Sequence, residues 1–234
     1  MSIQIVNLYK NYNDQQIFRD FSITLQENQI SCILGPSGCG KTTLLNILSG
    51  LTNTNSGIIN GLSGKIISYI FQDPRLLPWK TVRENIRFVL PEQDKKESDE
   101  KILLYLKMVG LSDFINHYPN QLSGGMKQRV SIARAFIYPS DIILMDEPLQ
   151  TIDPKLKLSL MKTFLKIWKN DNRTVLFVTH DVDEALILGK DIFIFSHPPV
   201  SIKNILKNPL TPEEKSIDNK HFFELKKKIL SYLD

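Results

Sequence analysis

ISCIL, residues 30–34, is an unbroken apolar run of strand length; GPSGCGKT follows it at Gly35–Thr42, and a helical pattern then runs from Thr42 to Leu48. So short a run suits a strand buried on both faces, the habit of a parallel sheet. The glycines let the backbone fold around an anion with successive N–H groups pointing inward. The helix that follows presents its positive end to the same point. The pattern GxxxxGK[ST] adds Lys41 for the terminal phosphates and the Thr42 hydroxyl for Mg²⁺. Strand, loop and helix in this order build a nucleotide-phosphate site, and they demand an α/β core. The residues expected around the nucleotide are Gly35, Pro36, Ser37, Gly38, Cys39, Gly40, Lys41, Thr42 and Thr43. Cys39, beside the helix N-terminus, is expected to favour its thiolate and to react with thiol reagents unless nucleotide covers it.

The rest of the chain fits such a core. Ile66–Phe71, Ile142–Met145, Val175–Thr179 and Ile192–Phe195 also read as strands, most of them buried on both faces. Met161, Phe164, Leu165 and Trp168 recur at helical spacing, as do Phe222, Leu225, Ile229 and Leu233. Strands separated by helices imply a largely parallel sheet. From about Thr81 to Tyr138 no strand pattern occurs, and the stretch reads as a helical insertion. Thr81-Val82-Arg83-Glu84 is a capping box that opens one helix. Pro91–Glu100 reads as a solvated connection, with the next helix starting near Ser98 and ending at Gly110. The expected organisation is one domain over residues 1–234. It has a core with a β part over about 1–78 and 140–215, a helical part over about 79–139 and a C-terminal helix over about 217–233. At 42% hydrophobic the chain can bury that core, yet no run approaches the roughly 18 apolar residues of a membrane span. The N-terminus has no signal pattern, so the chain is expected in the cytosol with Cys32 and Cys39 reduced. A net charge of +4 is too mild to argue for nucleic acid, and no such partner is expected.

A phosphate loop alone is shared by kinases, GTPases, recombinases and transport ATPases. Ile142-Ile143-Leu144-Met145-Asp146-Glu147-Pro148 narrows the choice, as a buried strand ending in two carboxylates. Side chains alternate along a strand, so the two carboxylates point to different places and can do different work. Asp146 suits Mg²⁺ held beside Thr42, and Glu147 suits polarisation of an attacking water. A guanine reader of the form Asn-Lys-x-Asp is missing, because Asn219-Lys220 runs on into His221-Phe222.

Leu122-Ser123-Gly124-Gly125-Met126-Lys127-Gln128-Arg129 is a second anion-binding helix start. Ser123 is placed to cap a helix over Met126–Tyr138 that Pro139 closes, and two glycines allow close approach. Gly35–Thr42, Gln72, Leu122–Gln128, Ile142–Glu147 and His180 stand in the order and spacing of the ATP-binding cassette (ABC) ATPases, which the chain resembles over nearly its whole length. The resemblance implies a RecA-like P-loop core with a mainly parallel sheet, an N-terminal antiparallel β part and an inserted α-helical subdomain. It implies ATP and Mg²⁺, and a head-to-tail homodimer in which the signature of one copy caps ATP held by the other. Carried over to this chain, it places Tyr12 against adenine and makes Lys41, Gln72, Glu147 and His180 catalytic. Thr42, Gln72 and Asp146 would hold the metal. Ser123, Gly124, Gly125 and Gln128 would form the contact in trans, with Asp153 on the loop between the copies. Met126 and Leu149-Gln150-Thr151-Ile152 depart from the family pattern, which favours glutamine at the first and small residues at the second.

Phe71-Gln72-Asp73-Pro74-Arg75-Leu76-Leu77-Pro78-Trp79 carries large apolar residues in what its prolines mark as a loop. It resembles the corresponding loop of the nitrate/sulfonate/taurine branch of ABC importers. The resemblance places Leu76, Leu77 and Trp79 in the groove that receives a helix of a transmembrane permease, at the cytoplasmic face of the membrane. An external binding protein would deliver a nitrate-, sulfonate- or taurine-like solute, or a vitamin precursor, to that permease. The alternative is a stand-alone cassette ATPase in iron–sulfur assembly or another non-transport role.

Overall fold

The computed structural model describes residues 2–91, 95–171, 173–216 and 218–233, with the side chains at 95, 96 and 170 left outside the description. A six-stranded sheet forms its centre. In spatial order it runs β5 (Ile67–Ile70), β6 (Ile142–Asp146), β7 (Thr174–Thr179), β3 (Ile30–Leu34), β8 (Asp191–Phe195) and β9 (Ile202–Lys207). All pairs are parallel except β8 with β9. The side chains of the four inner strands alternate between two cores. Cys32, Ile143, Met145, Phe177 and Ile194 enter one, whereas Ile33, Leu144, Val178 and Phe193 enter the other. That is why these strands read as continuous apolar runs: both faces are covered.

The two cores have different covers. An antiparallel sheet, β2 (Gln15–Gln26), β1 (Ser2–Tyr12) and β4 (Ser56–Asn60), closes one face together with α1 (Lys41–Leu48). The other face packs α2 (Val82–Arg87), α3 (Lys95–Met108), α4 (Gly124–Ile137), α5 (Pro154–Asp171), α6 (Val182–Leu188) and α7 (Lys220–Leu233). Helices α2 to α4 lie between β5 and β6 in the chain, where the sequence shows no strand pattern.

Local chemistry sets the helix ends. Thr81 and Glu84 form the capping box at α2, with Thr81 N–H donating to Glu84 Oε2 at 2.7 Å and Glu84 N–H to Thr81 Oγ at 3.3 Å. The Thr81 N–H, together with the Thr81 hydroxyl donating to the same oxygen at 2.9 Å, holds the Glu84 carboxyl below the usual range. Helix α3 starts at Lys95, three residues before the expected Ser98, so the Pro91–Glu100 connection is shorter than the sequence implies; residues 92–94 of it lie outside the described residues. The helix expected from about 217 starts at Lys220. No helix among the described residues is long and apolar enough to cross a membrane.

Candidate functional site

The phosphate loop leaves β3 at Leu34 and enters α1 at Lys41. Gly40 has φ 109°, and a Cβ there would meet Ile17 Cγ2 at 2.6 Å, so both conformation and space require glycine. The loop forms one wall of a cleft of about 290 Å³ through Ser37, Gly38 and Gly40–Thr43, with Gln72, Glu147 and Gln150 opposite. Gly35 and Pro36 stand behind that wall. Their carbonyls accept hydrogen bonds from Lys41 Nζ at 2.8 and 2.9 Å. Cys39 also faces away, fully buried, and desolvation raises its thiol above the usual value despite the nearby Lys41 ammonium. The expected reactive thiolate is thereby corrected: burial outweighs the helix terminus.

Strand β6 delivers the carboxylates in different environments. Asp146 is buried at 4% exposure; desolvation raises its carboxyl, opposed by a hydrogen bond with the Thr42 hydroxyl. Glu147 leaves the strand with φ 44°, a left-handed conformation that costs a non-glycine residue about 1–2 kcal/mol. Its N–H still reaches Val178 O at 3.0 Å. The turn aims the side chain into the cleft: Oε2 lies 2.9 Å from His180 Nδ1 and Oε1 lies 3.9 Å from Lys41 Nζ. His180 follows β7 directly, at the end of the adjacent strand. The nucleophile-facing carboxylate, the imidazole and the ammonium therefore converge from three separate parallel strands.

Gln72 follows β5 and donates from Nε2 to Gln150 Oε1 at 2.8 Å. In the sequence Gln150 stands out only as a departure, and the amide bridge across 78 residues has no sequence signal. Tyr12 ends β1 on the outer side of the hairpin, 43% exposed, with the Lys10 ammonium 4.7 Å from its ring centre. Ile17, not Tyr12, lines the cleft. His117, His197 and His221 take no part in it.

The signature segment is some distance along the chain and opens α4. Ser123 is the N-cap, its Oγ accepting from Met126 N–H at 3.3 Å, and both Ser123 and Gly124 are exposed. A Cβ on Gly125 would sit 3.2 Å from Thr151 O, so glycine lets this helix start lie close to the loop before Asp153. Asp153 is exposed and caps α5, its Oδ1 accepting from Lys155 N–H at 3.0 Å. Gln128 corrects an expectation. It is 1% exposed and donates to Phe71 O at 3.2 Å, so its side chain faces its own chain and not a partner. Leu149 and Ile152, the unusual residues before Asp153, are core residues here.

The loop from Gln72 to Trp79 is braced from behind. Arg134 of α4 donates to Arg75 O at 3.1 Å and Pro74 O at 2.9 Å, and buried Asn85 bonds the backbone of Leu77, Lys80 and Thr81. Of the three apolar residues expected at a permease surface, Leu76 instead packs partly on the main core and Leu77 is half-buried. Trp79 is 71% exposed. Phe88, which the sequence reading missed, is 65% exposed and borders a 380 Å³ groove with Val89, Tyr69, Arg134 and Tyr138.

Residues 18–150 match the protein family described as ABC transporter. The chain belongs to that family. The cassette is similar to the aliphatic sulfonates import ATP-binding protein SsuB of Bacillus cereus. The two are 37% identical over 244 aligned positions, spanning 100% of this chain and 96% of the relative. It is 41% identical to the taurine import ATP-binding protein TauB of Pelagibacter ubique, over 77% of this chain and 71% of that protein. Among solved structures it resembles the dimeric structure of MJ0796, a bacterial ABC transporter cassette. The TM-score is 0.80 and the identity 29%, covering 89% of this chain and all of that one.

Proposed function

We propose that this ABC cassette is the ATP-hydrolysing subunit of an importer, working as a head-to-tail homodimer on a transmembrane permease at the cytoplasmic face. One observation carries the coupling: a single braced loop begins at Gln72 in the phosphate cleft and ends at exposed Trp79. A change at either end of so short a loop is felt at the other. The transported solute is a small sulfonate-bearing compound, the class that the similar import proteins are named for.

The chemistry follows from the cleft. Glu147, set between Lys41 and His180, accepts a hydrogen bond from water and so turns a lone pair of that water toward the terminal phosphate. With its proton on Nδ1, His180 donates to Glu147 and fixes that carboxylate's direction. Lys41, released from the Gly35 and Pro36 carbonyls, stabilises the charge on the transferred phosphoryl group. A Mg²⁺ ion supplies further neutralisation of the phosphate oxygens. The oxygen set of Asp146, Thr42 and Gln72 fits such an ion, and among the described residues no group of three or more His, Cys, Asp or Glu side chains offers a closed metal cage. That is how Mg²⁺ is usually held, by one or two carboxylates plus phosphates. The Tyr12 ring serves as the adenine platform, exposed as stacking requires.

The test is Trp79→Ala. A buried tryptophan would cost about 3–5 kcal/mol on truncation, whereas at 71% exposure the loss should stay within about 0.5 kcal/mol. The expected outcome is an unchanged thermal melt and unchanged ATP binding, with loss of co-purification with the permease. Full assembly and transport by this variant would refute the coupling surface.

A further inference from the structure

We propose that Gln150 is a positioning residue for Gln72. Its carboxamide oxygen takes the Gln72 N–H and so leaves the Gln72 oxygen as the end presented to a divalent cation beside the phosphates. The inference rests on the nucleotide reading above.

A glutamine side chain has two unlike ends, one acceptor oxygen and one NH₂ donor, and only the oxygen ligates a hard cation. An exposed glutamine at a cleft wall turns freely, so half its orientations present the wrong end. Here the ambiguity is removed by a partner. Gln72 Nε2 stands 2.8 Å from Gln150 Oε1, and both residues line the phosphate cleft. Gln150 is itself held: its backbone N–H donates to Glu147 O at 3.3 Å, on the turn that carries the catalytic carboxylate. Gln150 is flanked by Leu149 and Ile152, 5% exposed each, which anchor the turn in the core. The reverse pairing would aim the Gln72 NH₂, a donor with no lone pair to give, at a cation. The bond thus joins the loop that leads to Trp79 with the turn that leads to Asp153.

Mn²⁺ binding in the presence of an ATP analogue with an imido β,γ bridge tests this without turnover, read from the free-ion signal in electron paramagnetic resonance. Gln150→Met keeps length and removes the acceptor; Gln150→Glu keeps the acceptor. Losing one neutral hydrogen bond should weaken Mn²⁺ binding roughly three- to tenfold in Gln150→Met, with a smaller change in metal-free nucleotide affinity and with Gln150→Glu binding at least as well as the parent. Gln72→Met/Gln150→Met should bind no more weakly than Gln72→Met alone. Parent-like Mn²⁺ binding by Gln150→Met, an equal loss in Gln150→Glu, or full additivity in the double variant would overturn the proposal. A parent chain that takes up no Mn²⁺ with the nucleotide overturns the nucleotide reading as well.

Discussion

At Asp146 two demands oppose each other: the metal site proposed there would want a charge where burial disfavours one. Desolvation raises its carboxyl above the ordinary range, so the folded chain binds that proton more tightly than the unfolded chain. The carboxylate therefore costs stability at neutral pH, and the cost fades as pH falls through the raised value. Asp146→Asn keeps the volume and a Thr42 partner, and should melt higher at pH 7 while losing metal-dependent hydrolysis. In a chain of this size each 1 kcal/mol moves the melting point by about 2–4 °C, so an upward shift is readable in a thermal melt. Melting curves across pH check the sign, since the gap between variant and parent should narrow on acidification. Cys39 gives a second residue-scale outcome. Both thiols are 0% exposed, so an aromatic disulfide reagent should label neither in the native protein and both in denaturant. Fast native labelling of Cys39 with or without ATP would contradict its burial. Its position in the motif was legible in the sequence, but its direction was not, because that depends on Phe195 and Gly35 closing around the sulfur.

Elements with one clear period were read well. The inner strands show alternating faces that are both apolar, which an unbroken run such as Ile142–Met145 announces. Strand β1 is different: its pairing with β2 shifts register between Ile5 and Leu8 and again toward Asn11, and Asn7 has φ 49°. Those bulges break the period of two on which a strand reading depends. Pairs distant in sequence stay hidden as well. Lys157 of α5 reaches Glu184 Oε1 at 2.6 Å and Asp181 Oδ2 at 3.2 Å, while Glu184 Oε2 accepts from the Thr179 hydroxyl at 2.7 Å. This network stands directly behind His180 and ties α5, β7 and α6 together. Removing one partner of a fully buried pair costs about 3–5 kcal/mol; Lys157 is 19% exposed, so Lys157→Met should cost about 2–3 kcal/mol in urea denaturation. Lys157→Met/Glu184→Gln should recover most of that, because no charge is then left buried and Thr179 keeps its partner. A double variant as unstable as the single one would show that shape, not charge, holds the junction.

For the whole molecule, the proposed head-to-tail pairing means that one copy holds an incomplete site. Ser123 and Gly124 are exposed at the start of α4, and Asp153 is exposed on the adjoining turn. None of the three belongs to the chain's own phosphate cleft. The role proposed for them rests on the motif alone, since a second copy that would use them leaves no mark on a single chain. Glu147→Gln, which keeps shape and removes the charge that orients water, should bind ATP, hydrolyse it at least about 100-fold more slowly and run as a dimer on gel filtration with ATP. Normal turnover in that variant would assign the base elsewhere. Helix α4 spans 14 residues, about 21 Å at 1.5 Å per residue. Gln128 and Arg134 clasp the backbone of the 71–75 loop at two heights along it. Helix and loop are therefore one lever with two handles, the exposed start at Ser123 and the rim at Trp79. Were a second subunit to draw on the first handle, as the proposed pairing requires, the second would tilt in the same stroke.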